Sequence, residues 1–149
     1  MKDNESSIVI LLAEDDPDDR LMTQEALEES SMPHKFFYVE DGIELLDYLY
    51  NRGRFNNSQE YPRPGIILLD LNMPRKDGRE ALLEIKKDPK LKSIPVVILT
   101  TSKAEEDIIK TYDYGANSFI TKPVTFDGLV NVVKLLETYW FNLVSLPKS

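Results

Sequence analysis

The chain has no cysteine and one histidine, His34. Without cysteine there are no disulfides, no thiolate metal sites and no cysteine nucleophile. His34 follows Pro33 in a turn-like stretch and is read as structural, with no chemical role. Positive charge is also scarce: 18 Lys and Arg stand against 26 Asp and Glu, a net charge of -8. That balance argues against broad binding to a phosphate backbone, so no nucleic-acid partner is expected. No apolar run is long enough to cross a bilayer, and Met1-Lys2-Asp3-Asn4-Glu5 lacks a signal-peptide core. The expectation is a cytoplasmic protein with no membrane partner. Repeats and low-complexity tracts are missing too. The 149 residues, 42% hydrophobic and 30% charged, suit one domain with a full core.

What is present is an alternation of strand and helix. Ile8 to Ala13, Lys35 to Val39, Gly65 to Leu69, Pro95 to Leu99 and Asn117 to Thr121 read as strands. Asp16 with Pro17 at the first helical position starts the first helix, with an apolar stripe of Leu21, Met22, Ala26 and Leu27. Asp41-Gly42 opens the second, whose inward side is read as Ile43, Leu46, Leu49 and Tyr50. Arg52 to Pro64 reads as loop. The third helix runs from about Arg79 to Lys87 and ends at Asp88-Pro89. A capping-box pattern at Ser102-Lys103-Ala104-Glu105 starts the fourth, which stops at Gly115. Thr125 caps the last helix, which runs through Leu129, Val132, Val133, Leu136, Tyr139 and Trp140.

Alternating elements with short connections imply an α/β fold, a five-stranded parallel sheet with helices on both faces. All strand-to-helix loops then lie along one edge of the sheet. Topology therefore gathers Glu14 to Asp16, Asp70 to Pro74, Thr100 to Ser102 and Lys122-Pro123 there. Carboxylates crowded at one edge repel each other until one takes a proton or a cation enters. An all-oxygen donor set without His or Cys favours a hard cation, Mg2+ by preference. Lys122 can pair with Asp70 or with phosphate, while Thr100 and Thr101 offer hydroxyl and amide donors. A carboxylate, a divalent ion, a lysine and a hydroxyl together make a phosphoryl-transfer constellation.

In this order and spacing, the acidic pair, Asp70 with Met73-Pro74-x-x-Asp77-Gly78, Thr100 and Lys122-Pro123 resemble response-regulator receiver domains of two-component signalling. The resemblance covers about Ile8 to Tyr139. Within that family, Leu68 to Glu80, Ile94 to Ser102 and Tyr139-Trp140-Phe141 are similar to single-domain regulators partnered with cyanobacterial and bacterial phytochromes.

The resemblance implies a (βα)5 flavodoxin-like receiver fold with strand order 2-1-3-4-5. It implies a single receiver domain over residues 1–149, with a core at about 8–140, a C-terminal extension at 141–149 and no output domain. Asp70 matches the phospho-acceptor, supplied by a histidine on a sensor kinase, here a phytochrome-type kinase. Asp15 matches the direct Mg2+ ligand, Glu14 the partner acid, and the Asn72 backbone carbonyl a further ligand. Thr100 and Lys122 match the phosphate-binding pair, with Thr101 beside them, and Phe119 matches the aromatic switch. Asn72 and Ser102 match the positions that tune dephosphorylation, and Lys122-Pro123 the family's cis peptide. The implied function is a non-enzymatic switch that promotes its own phosphorylation and dephosphorylation and signals through protein contact.

Plainer readings stand beside these. Asp16, Asp18 and Asp19 read as the favourable acidic first turn of a helix. Asp77-Gly78 reads as turn chemistry, and Phe119 on its own as a core aromatic. An aspartyl-phosphate phosphatase of similar architecture is the alternative function. Such enzymes commonly need a second Asp where this chain has Asn72. A flavodoxin-type cofactor binder needs a phosphate-cradling first loop, which Glu14 to Asp19 would repel. Trp140, Phe141 and Leu143 lie beyond what the last helix needs. They either fold back on the core or form an apolar partner surface, with a lean to a homodimer contact.

Overall fold

The strand–helix alternation holds along the computed structural model, which describes residues 7–30, 33–101 and 105–145. The strands are β1 (Ile8–Ala13), β2 (His34–Val39), β3 (Ile66–Leu69), β4 (Val96–Thr100) and β5 (Ser118–Thr121). The helices are α1 (Pro17–Glu28), α2 (Gly42–Leu49), α3 (Gly78–Lys87), α4 (Glu105–Asp113) and α5 (Phe126–Ser145). The strands form one parallel sheet in the order β2-β1-β3-β4-β5, as the resemblance implies.

The pleat divides the apolar runs between two cores. Leu11, Ala13, Ile67, Leu69, Val96 and Ile98 face α2 and α3 through Leu45, Leu46, Ala81, Leu82 and Ile85. The residues between them, Ile10, Leu12, Ile66, Leu68, Val97 and Leu99, face α1 and α5 through Ala26, Leu27, Leu129, Val132 and Val133. Coverage on both faces explains why the central strands show no polar alternation. Each buried Leu or Ile contributes about 1.5–3 kcal/mol relative to exposure.

Caps set where the helices begin. Asp16 accepts from the amides of Asp18 and Asp19, Asp41 from that of Glu44, and Asp77 forms a reciprocal capping box with Glu80. Gly115, with φ of 104°, follows α4. Thr125 Oγ1 accepts from the Gly128 amide at 3.0 Å at the start of α5. The expected start of α4 at Ser102 lies outside the described residues, as do the side chains of Tyr139, Trp140, Phe141 and Leu143.

Three inward assignments need correction. Leu21, Ile43 and Tyr50 are exposed, at 55%, 39% and 39%. The buried arc of α1 is Thr23, Ala26 and Leu27, and that of α2 is Leu45, Leu46 and Tyr48. At 100° per residue the three outliers project away from those arcs. Arg52 to Pro64 is also more ordered than a bare loop. It contains a 3-10 turn at Gly53–Phe55, and Phe55 is buried. The Phe55 ring packs against Tyr48 and Tyr61, with centroids 5.4 and 5.1 Å away. The Tyr48 hydroxyl donates to the Pro62 carbonyl at 2.9 Å. No helix among the described residues is long and apolar enough to cross a membrane.

Candidate functional site

Parallel pairing brings the carboxyl ends of the strands level: Ala13 lies beside Leu69, and Thr100 beside Thr121. Backbone hydrogen bonds continue this register past the strand ends. The amide of Glu14 donates to Val39, that of Asp70 to Ala13, and that of Lys122 to Thr100. The fold thus fixes where the side chains of Glu14, Asp70, Thr100 and Lys122 begin, independently of any contact among them.

Those side chains converge. Thr100 Oγ1 donates to Asp70 Oδ1 at 2.7 Å, and the Asn72 amide donates to the same oxygen at 3.2 Å. Lys122 Nζ pairs with the Glu14 carboxylate and with Asp19 Oδ2 at 3.0 Å, and stands 3.7 Å from Asp70 Oδ2. Glu14, Asp70 and Thr100 are buried. Burial pushes the Glu14 carboxyl up to about 7; the charge of Asp70 adds to this and Lys122 opposes it. For Lys122, burial works to lower the ammonium's pKa, but Glu14, Asp70 and Asp19 outweigh it and hold the group above its ordinary value. Of this pair, Glu14 is the member that takes up a proton as pH falls, and Lys122 stays charged.

One oxygen each from Glu14, Asp15 and Asp70 lie within 4.8 Å of one another. This donor set fits a hard divalent cation, which would relieve the repulsion from Asp70 that adds to the effect of burial on Glu14.

Neighbouring turns hold the acceptor loop. The Gly78 amide donates to Leu71 at 3.0 Å. A Cβ on Gly78 would lie 2.3 Å from the Asp70 carbonyl oxygen, so this approach requires glycine. Arg75, with φ of 64°, reaches Asp41 Oδ2 at 2.8 Å, and the Gly42 amide donates to Lys76 at 2.9 Å. The loop after β3 is thereby fastened to the start of α2.

Of the expected site residues, the structure brings together Glu14, Asp15, Asp70, Asn72 through its amide, Thr100 and Lys122. Thr101 is exposed and does not join the buried set. Phe119 is half-buried against the core beneath α2 and α3, with its amide donating to the Tyr112 hydroxyl at 3.1 Å. Ser102 lies outside the described residues. Lys122–Pro123 is trans, which corrects the cis expectation: proline narrows the gap between isomers but does not require cis. Asp77 acts as a helix cap, in keeping with its reading as turn chemistry.

Two residues of the site carry no clear signal in the sequence. Asp19, which reads as a helix-turn acid, reaches Lys122. Arg20 Nη1 donates to the carbonyls of Glu14 at 3.1 Å and Asp15 at 3.2 Å. Its guanidinium pairs with Glu40 at 3.5 Å and lies 4.5 Å from the centroid of the Tyr38 ring. An arginine near a helix N-terminus runs against the helix dipole, and that is the one hint its position offers.

Known proteins resemble this chain in sequence and in fold. The family model of the response regulator receiver domain matches residues 10–134. Response regulator Rcp1 of Synechocystis sp. is 45% identical over 141 residues, covering 95% of this chain and 94% of that protein. The crystal structure of the phosphorylated cyanobacterial phytochrome response regulator RcpA is 46% identical with a TM-score of 0.85, covering 95% of this chain and 99% of that one. The Mn2+-bound form of Rcp1 is 43% identical with a TM-score of 0.83, covering 94% of this chain and 99% of that one.

Proposed function

This chain belongs to the response regulator receiver domain family, and from that premise we propose that it accepts a phosphoryl group on Asp70 and signals by changing a protein-contact surface. The observation that carries this reading is the convergence of the Thr100 hydroxyl, the Lys122 ammonium and two further carboxylates on buried Asp70. The donor is a sensor histidine kinase. The naming of RcpA as a phytochrome response regulator supports a phytochrome-type kinase.

In the transfer, an Asp70 oxygen attacks phosphorus in line as the bond to the kinase histidine breaks, leaving an acyl phosphate. Lys122 and Thr100 would meet the phosphoryl oxygens, a role that their approach to Asp70 supports. Glu14, Asp15, Asp70 and the Asn72 carbonyl would hold Mg2+, and a bound divalent ion supplies neutralising charge to those oxygens. The Mn2+-bound Rcp1 structure supports a divalent ion in this family. Phe119 follows Thr100 as the switch aromatic, and Asn72 and Ser102 tune loss of the phosphoryl group. Asn72 supplies no general acid, which disfavours the phosphatase alternative.

The chain acts as a cytoplasmic single-domain regulator rather than an enzyme, with a homodimer contact through its C-terminal half. Incubation with a radiolabelled phytochrome-type histidine kinase tests the reading. Label is expected to pass to this chain and to leave the kinase; a kinase that keeps its label in the presence of the chain contradicts the assignment of partner.

A further inference from the structure

Lys122 has three ammonium protons to place. Glu14 and Asp19 take up two directions, and Asp70 Oδ2 at 3.7 Å is beyond hydrogen-bond range. The lysine is thus hydrogen-bonded on the side of Glu14 and α1 and only ion-paired with the acceptor. Turning its third proton toward a phosphoryl group on Asp70 works against the pull of the Glu14 and Asp19 carboxylates.

Glu14 is buried, so without a cation at the site releasing it would leave a carboxylate away from water. The Asp19 side chain is 32% exposed and can turn to solvent. Its backbone is fixed: its amide is capped by Asp16 Oδ1 at 3.3 Å and its carbonyl accepts from Thr23 Oγ1 at 2.9 Å. A carboxylate on a fixed helical turn, joined across the fold to a buried lysine, is built as a tether rather than as a helix-dipole ornament.

We infer that Asp19 is a positioning residue that draws Lys122 toward α1 in the unphosphorylated protein and so competes with a phosphoryl group on Asp70 for it. The inference rests on the receiver reading above. It adds that the first turn of α1 sets how readily the phosphoryl-bound state is reached. Removing the tether favours that state.

Titration of the full chain with beryllofluoride, a phosphoryl mimic, at saturating Mg2+ tests this by calorimetry. Asp19→Asn is expected to bind about threefold tighter than wild type, the scale of one partly exposed ion pair. Asp19→Glu keeps the charge and the reach and restores wild-type affinity. Asp18→Asn removes the same charge from an exposed neighbour in the same turn and leaves affinity unchanged. Unchanged or weaker binding by Asp19→Asn overturns the tether, as does equal tightening by Asp18→Asn, which would make the effect one of charge alone. A wild-type chain that does not bind beryllofluoride overturns the receiver reading and the tether together.

Discussion

Thr100 Oγ1 donates to Asp70 Oδ1 at 2.7 Å, and both groups are buried. A hydrogen bond to a buried carboxylate is worth about 1.5–3 kcal/mol. Thr100→Val keeps the shape and removes the donor, so it is expected to cost about 1–2 kcal/mol in urea unfolding. In the Asp70→Asn background that cost shrinks, giving a coupling of about 1 kcal/mol in a double-mutant cycle. Additive costs would mean that the contact carries no energy.

Arg20 braces the carbonyls of Glu14 and Asp15, whose carboxylates belong to the candidate cation site. Groups that orient metal ligands are worth about tenfold or more in affinity. Arg20→Ala is expected to weaken Mn2+ binding by about that factor in calorimetry. Arg20→Lys recovers only part of it, because an ammonium lacks the planar fork. Unchanged Mn2+ affinity would reduce the brace to helix packing.

Asp41 ties the acceptor loop to α2 through Arg75. Burial works against the Asp41 carboxylate, but Arg75 and the amides of Glu44 and Ile43 outweigh it and lower its pKa. A lowered native pKa stabilises the fold above the unfolded carboxylate's pKa, and that stability is lost as pH falls through the native value. Asn caps helices as well as Asp does, so Asp41→Asn isolates the charge. Wild type is expected to melt higher at neutral pH, and the gap is expected to close as pH falls below the ordinary carboxylate range. A gap independent of pH would contradict the pairing.

Two core changes separate stability from site geometry. Phe55→Ala empties its aromatic cluster with Tyr48 and Tyr61 and is expected to cost about 3 kcal/mol while phosphorylation persists. Gly78→Ala drives a Cβ into the Asp70 carbonyl and is expected to cost about 2 kcal/mol and to impair phosphorylation as well. Chemical denaturation with a parallel labelling assay measures both, and equal labelling of the two variants would contradict the role given to Gly78.

Much of the fold and of the site is legible in the amino-acid sequence. β1, β3 and β4 are covered on both faces, so they appear as unbroken apolar runs, and the carboxyl-end rule then gathers Glu14, Asp70, Thr100 and Lys122. Asp19 and Arg20 are not legible as site residues, because their reach depends on how the first turn of α1 is phased over the loop. Leu21, Ile43 and Tyr50 mislead for a related reason: an apolar count along a helix does not fix the direction of its buried arc. Phe55 and Tyr61 sit in an aperiodic segment, where no spacing announces that the rings meet. The isomer of Lys122–Pro123 turns on a small energy difference that the dipeptide does not reveal.

The central claim is that Asp70 is a cation-assisted phosphoryl acceptor. Its most direct measurement is intact-protein mass spectrometry after incubation with acetyl phosphate, with and without Mg2+. One phosphoryl group is expected on the wild-type chain, dependent on Mg2+ and absent from Asp70→Asn. Equal labelling of Asp70→Asn, or labelling of the wild type indifferent to the cation, would contradict it.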